Sequence, residues 1–195
     1  MEEIASVADK DSMEKEFRSC VASEVLQDYC FEACEFIACQ FKESGFRRST
    51  FIDCRFVDCD LSLISVEESV FNGVEFVGCR LLGVDWSCCN ANLFSGKFSS
   101  SMLDSSVFDG MKLRRISFQK CSLTGAFFDS CDLQDASFRG SKLKDCSFDG
   151  ADLRCADFRE TESLDLDLSF PKLRGLKLDM TGAVALVRKN GIVVD

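Results

Sequence analysis

Thirteen cysteines and no histidine set the chemistry open to this chain of 195 residues. Thiols in that number could build a disulfide framework, hold a soft metal or act as nucleophiles. The absence of histidine removes the commonest general base and the commonest metal ligand, and no serine or cysteine triad can be assembled. The nearest approach to a zinc site is the pair of Cys-x4-Cys spacings at Cys34/Cys39 and Cys54/Cys59. Acids are plentiful, 33 against 23 lysines and arginines, but a carboxylate does acid–base work only where a cleft shifts its pKa. No glycine-rich phosphate loop lies between a strand and a helix. The odd thiol count, with no signal sequence ahead of it, argues against a secreted disulfide scaffold.

The elements that must carry these side chains follow a period of five. Large apolar residues recur at Phe31, Phe36, Phe41, Phe46, Phe51, Phe56, Leu61, Val66, Phe71, Phe76, Leu81 and Trp86. A second block in a shifted frame runs Leu93, Phe98, Leu103, Phe108, Leu113, Phe118, Leu123, Phe128, Leu133, Phe138, Leu143, Phe148, Leu153 and Phe158, with leucine and phenylalanine alternating. Two residues before most of these centres stands a small side chain, as at Cys34, Ser49, Cys59, Ser106, Ala126 and Ala156. A five-residue period fits neither a helix nor a straight strand. It fits a short strand that turns residues i−2 and i inward, exposes i−1, and bends over i+1 and i+2. The chain must then coil, each coil pairing with the next like neighbouring parallel strands about 4.8 Å apart.

The unit Ala151-Asp152-Leu153-Arg154-Cys155 and its relatives resemble the A(D/N)LXX repeat of the pentapeptide-repeat proteins. That resemblance implies an all-β fold, a right-handed quadrilateral parallel β-helix with four units, or 20 residues, per coil. Strict Leu/Phe alternation would then put phenylalanines on one opposed pair of walls and leucines on the other, filling a narrow core evenly. Phe36, Phe56, Phe76, Phe108, Phe128 and Phe148 are core positions in this reading. One coil would present Cys34, Cys39, Ser44 and Ser49 at its inner small positions and the next Cys54, Cys59, Ile64 and Ser69, so neither supplies four soft ligands. We expect no metal and no cofactor, with thiols as small core fillers in a reducing compartment. Cys88, Cys89 and Cys155 fall outside the inner positions and are expected to be accessible.

The pattern divides the chain into residues 1–16, a polar arm or short helix capping the first coil; 17–178, the β-helix; and 179–195, a C-terminal helix and tail. Val21 and Leu26 continue the first frame backward, and Leu168, Leu173 and Leu178 continue the second forward. Between Trp86 and Leu93 the step is seven, a frame break across residues 87–92, which is either a tolerated bulge or a recognition feature. In the last segment Thr181 or Asp179 can cap a helix start, Arg188 and Lys189 suit its last turn, and Gly191 follows as a stop. Its apolar stripe of Ala183, Val184 and Val187, with Ile192 and Val193 beyond, either covers the final coil or forms a dimer seam. The resemblance favours a homodimer, since related proteins pair through their C-terminal ends.

Residues 20 apart should stack on one wall. Asp109, Asp129 and Asp149 then form an acidic column and Asp132 with Asp152 a second, read either as solvated turn residues or as a track imitating a DNA backbone. Ile37, Val57 and Val77 form an apolar ridge, either packing or a partner contact. The formal net charge of −10 and pI near 4.6 disfavour nucleic acid and membrane as partners. No small-molecule substrate and no enzymatic activity are expected, and the lack of a targeting or spanning segment reads as cytoplasmic.

Phe56-Val57-Asp58-Cys59-Asp60-Leu61-Ser62-Leu63-Ile64-Ser65, Leu81-Leu82-Gly83-Val84-Asp85-Trp86 and the ending Asn190-Gly191-Ile192-Val193-Val194 resemble the topoisomerase-protection branch of that family. Within it are the albicidin and microcin immunity proteins and the Qnr-type quinolone-resistance proteins. The resemblance implies an acidic rod that occupies the DNA-binding saddle of DNA gyrase or topoisomerase IV and counters a poison. A structural interaction module with some other partner is the competing reading. The Qnr-type projecting loops have no counterpart here beyond the two-residue expansion, which weakens the quinolone version of the expectation.

Overall fold

The computed structural model describes residues 2–41, 44–167 and 172–193. Every strand pair in it is parallel, and partners lie one coil apart. One wall can be followed from Glu16 through Glu35, Arg55, Glu75, Lys97, Ser117, Ser137 and Asp157 to Lys177. Phe36 lies against Phe56, a step of 20 residues, so each coil holds four five-residue units and the section is four-sided. Backbone groups pair from coil to coil, as when Arg55 N–H donates to Cys34 O at 2.9 Å. This satisfies the polar main chain without any long strand.

The centres form the core. Phe98, Phe118, Phe138 and Phe158 stack with ring centroids 5.0, 5.2 and 4.8 Å apart, and Phe108, Phe128 and Phe148 stack at 5.0 and 5.3 Å on the opposite wall. The two columns meet edge to face, Phe108 against Phe118 at 5.4 Å and 76°. Leu103, Leu123 and Leu143, with Leu113, Leu133 and Leu153, close the other two walls and are buried. In the first half phenylalanines stand on adjacent walls, and Phe36, Phe56 and Phe76 stack at 4.6 and 5.1 Å.

The inner small positions do more than fill space. Cys54, Cys59 and Cys79 donate their thiols to the carbonyls of Phe31, Phe36 and Phe56 at 3.3, 3.3 and 3.4 Å, and the Ser141 hydroxyl donates to Phe118 O at 2.9 Å. A short side chain with one donor therefore suits this position in several coils. Burial pushes the Cys54 and Cys131 thiols up to about 12 and Cys121 up to about 11, so they stay neutral. Cys88 and Cys155 are exposed, whereas Cys89, expected to be accessible, is buried because it still keeps the inner place of the first frame, three residues after Trp86 and one coil after buried Ser69. Maleimide labelling of the native protein, read by mass spectrometry, should modify Cys88 and Cys155 and spare Cys34, Cys54 and Cys121 until the chain unfolds. Cys88 should react slowly at neutral pH, since partial burial and the Asp85 carboxylate raise its pKa. Native labelling of Cys54 as fast as Cys155 would contradict this packing.

Three local expectations need correcting. Leu93 is 51% exposed and Phe94 enters the core instead, its ring 5.6 Å from Trp86 and 6.3 Å from Phe71. The step from Phe76 to Phe98 is 22 residues, so the two extra residues displace the inward position by one. Val21 is half-exposed while Ala22 and Phe17 are buried. The reason is that Val21 pairs with Gln40, a step of 19, whereas Val25 pairs with Gly45, a step of 20. Residues 1–16, expected as an arm or short helix, carry the short helix Ile4–Val7 and also a strand, Asp11–Met13, paired with Cys30–Glu32. Ile4 is fully buried there, so this segment supplies coil as well as cover.

At the other end Leu173 and Leu178 are half-buried, and Leu168 lies outside the described residues. The helix Met180–Lys189 is capped by Asp179, whose Oδ1 accepts from Gly182 N–H at 2.7 Å. Leu186 seats in the core, Ala183, Val184 and Val187 are half-buried, and Ile192 and Val193 are 51% and 84% exposed. Asn190 Nδ2 donates to Leu166 O at 3.0 Å and Lys189 pairs with Asp165, which ties the helix back to the last described coil segment.

Candidate interaction surface

The outward side chains are set by the same five-residue unit. Position i+1 begins each corner, and position i+2 takes positive φ. Gly110 and Gly150 sit there at φ 71° and 67°, where Asp109-Gly110 and Asp149-Gly150 turn; Ser130 takes the equivalent place after Asp129 at φ 58°. Asp109, Asp129 and Asp149 therefore project from one corner, one coil apart.

The geometry holds this column in a defined way. Asp109 Oδ1 accepts from Asp129 N–H, and Asp129 Oδ1 accepts from Asp149 N–H, both at 2.9 Å. Asp109 and Asp129 thus each span to the next coil through a charge-assisted bond, which offsets the repulsion between neighbours. None of the three takes part in a salt bridge among the described residues. On the adjoining face Val107 pairs with Phe127, which pairs with Ser147; Phe127 is 44% exposed. Sequence reasoning missed Phe127. Its signal was legible, because it is one of four phenylalanines lying off the repeat centres.

Asp132 and Asp152 do pair one above the other, but they do not form a bare acidic track. Lys112 stands below Asp132 in the same ladder. Arg114 Nε lies 2.5 Å from Asp132, and Arg154 forks onto Asp152 at 2.6 and 2.9 Å. Asp152 is 7% exposed, so its charge is spent within the coil. The Arg154 guanidinium holds the Asp152 carboxyl below its ordinary 3.8, and Arg159 does the same for Asp157.

These shifts carry a pH prediction. A carboxyl whose folded pKa is depressed contributes stability above the unfolded value and loses it as pH falls through the folded one. Arg154→Leu should therefore be less stable than the parent at pH 6 in urea unfolding. The gap should close as pH falls past 3.8 and through the depressed folded value, where Asp152 becomes protonated in the parent as well. An equal gap at pH 6 and pH 2.5 would show that the pair contributes by packing instead of charge.

Ile37, Val57 and Val77 stack in register on one wall, each half-buried. Ser99 and Gln119 follow them in the same column, so the ridge is confined to the N-terminal half. Among the described residues no cluster of three or more histidine, cysteine or acidic side chains is placed to hold a metal. No described helix is long and apolar enough to cross a membrane.

Comparison with known proteins agrees with this geometry. QnrB1, "a plasmid-mediated fluoroquinolone resistance protein", is similar in two trypsin-treated variants. One superposes with TM-score 0.62 at 25% identity over 95% of this chain and 97% of that one. The other gives 0.59 at 26% identity over 95% and 91%. No curated protein sequence matches. The model of the pentapeptide repeat region matches residues 29–95 and 91–168, the same stretch in which centres and small inner residues recur every five positions, and the chain belongs to the pentapeptide-repeat family.

Proposed function

We propose that this protein is an acidic, rod-shaped DNA mimic that binds DNA gyrase or topoisomerase IV and modulates it or protects it from a topoisomerase poison. The observation that carries the reading is the column Asp109, Asp129 and Asp149, held in line by backbone bonds and free of cationic partners among the described residues. A row of fixed negative charges along a straight rod offers a basic DNA-binding surface what a phosphate backbone offers it. The likeness to QnrB1 supports a role in resisting a poison. The resemblance read from the sequence supports the topoisomerase partner. Pairing of two copies through the C-terminal segment would double the rod's length, and exposed Ile192 and Val193 supply apolar surface for it.

The test is a gyrase supercoiling assay with purified protein, run with and without quinolone and albicidin. Inhibition of supercoiling, or its rescue from either poison, is expected. Unchanged supercoiling and drug sensitivity, with no capture of the GyrA–GyrB complex, would reject the reading. One observation favours an interaction module with a non-topoisomerase partner instead: arginines neutralise the second aspartate column, which confines the bare acidic track to one corner. A pull-down returning one stoichiometric basic partner other than a topoisomerase would decide for it.

A further inference from the structure

Four cations gather on this acidic rod where its repeat breaks. The wall built from Asp11–Met13, Cys30–Glu32, Thr50–Ile52 and Val70–Asn72 ends its strand ladder at Asn72. Pairing on that wall resumes only at Lys112 with Asp132. Between them the inserted loop replaces a strand, with Asn90 N–H donating to Ser69 O and Ser95 N–H to Phe71 O, both at 2.8 Å. The missing strand leaves a cleft of about 510 Å3 lined by Val74, Phe94 and Ile116, by the cations Lys97, Lys112, Arg114 and Arg115, and by the two acids Asp53 and Glu75.

The repeat shows what is lacking there. One and two coils further on, the ladder position of Lys112 is held by Asp132 and Asp152. Each of these accepts the amide two residues ahead: Gln134 N–H on Asp132 Oδ1 and Arg154 N–H on Asp152 Oδ1, both at 3.3 Å. The Lys112 side chain has no oxygen to offer, so Arg114 N–H has no acceptor among the described residues. Asp132 and Asp152 also donate their own amides to the coil below, at Met111 O and Cys131 O. Lys112 N–H has no such partner among the described residues, because the strand below it is replaced by the loop. Two of the cations are engaged, Lys97 by Glu75 at 3.0 Å and Arg114 by Asp132 at 2.5 Å. Among the described residues Lys112 meets only the neutral Asn92 Oδ1 at 3.2 Å, and the Arg115 guanidinium has no partner.

We propose that this cleft binds a small phosphate-bearing ligand, its phosphate held by Lys112, Arg115 and the amides of Lys112 and Arg114. An ammonium, a guanidinium fork and two N–H groups without acceptors among the described residues suit a dianion with several acceptor oxygens. The volume exceeds what a bare phosphate fills and falls in the range of small-molecule sites. The apolar lining accommodates the organic part of a phosphate ester. The site is independent of the topoisomerase reading, since it lies on different residues from the Asp109 column and uses the opposite charge.

Calorimetric titration of the full chain at low ionic strength tests it, with inorganic phosphate, AMP, adenosine and a single-stranded oligonucleotide as probes. AMP or phosphate should bind and adenosine should not; tighter binding of AMP assigns an ester, equal binding free phosphate. Lys112→Gln with Arg115→Gln should weaken binding at least tenfold. Lys112→Asp, which restores the carboxylate found one coil further on, should abolish binding without loss of thermal stability, so a folding defect is separable from a lost site. Silence from both phosphate and AMP would overturn the proposal. So would undiminished binding in the double variant, or binding of a single-stranded oligonucleotide alone.

Discussion

Replacing Phe118 by alanine should lower the unfolding free energy by about 3 to 5 kcal/mol, the range for emptying a buried aromatic site. The ring is fully buried and lies 5.0 Å from Phe98 and 5.2 Å from Phe138 in its own column. Phe108 and Phe128 meet it edge-on at 5.4 and 5.6 Å. A solenoid coil touches only the coils beside it, and each wall is held in place by ladder bonds, so the cavity has little to collapse with. Phe158→Ala should cost less, because that ring stacks on Phe138 alone within its column. Urea unfolding followed by circular dichroism measures both. A Phe118→Ala loss under about 1 kcal/mol would mean that the phenylalanine column is not a close-packed spine. A drop in the urea dependence would show the rod separating into independently melting halves.

Neutralising the acidic corner should have the largest effect on partner binding. In the triple variant Asp109→Asn, Asp129→Asn and Asp149→Asn, each side chain keeps an oxygen that can accept the next coil's amide. The ladder therefore survives while three charges disappear. Stability should hold or rise slightly as repulsion is relieved, whereas affinity for a basic, DNA-binding partner should fall roughly tenfold or more. The loss should appear first in the association rate and shrink as salt is added. Asp132→Asn with Asp152→Asn should behave the other way, costing stability through Arg114 and Arg154 and leaving affinity nearly unchanged. Titration against the GyrA–GyrB complex by surface plasmon resonance distinguishes the pairs; equal affinity of the triple variant and the parent would remove the Asp109 column from the mechanism.

Much of this architecture was legible because a single spacing carries it. A five-residue period can be satisfied only by a coil, and the same count that places Phe36 under Phe56 places Asp109 under Asp129. The inward positions were therefore readable from the period, whereas the walls and the two aspartate columns needed in addition the 20-residue coil that the family resemblance implies. The breaks were not readable. Leu93 and Phe94 are both apolar neighbours, and the choice between them depends on which can reach the space beside Trp86 and Phe71. Val21 and Ala22 differ in the same way, through a one-residue shortening of the first coil that no local preference announces.

The period of five by itself determined that this protein is a coiled parallel ladder with an aromatic and leucine core and a charged exterior, because inward and outward positions alternate with chain count. The tertiary structure decided which outward charges are free. Arginine side chains are long enough to cross between positions, so Arg114 and Arg154 cancel one column while the Asp109 column keeps its charge. It also decided that two added residues open a cleft instead of merely bending the rod, since a lost strand exposes amides and cations whose neighbours lie a full coil away in sequence.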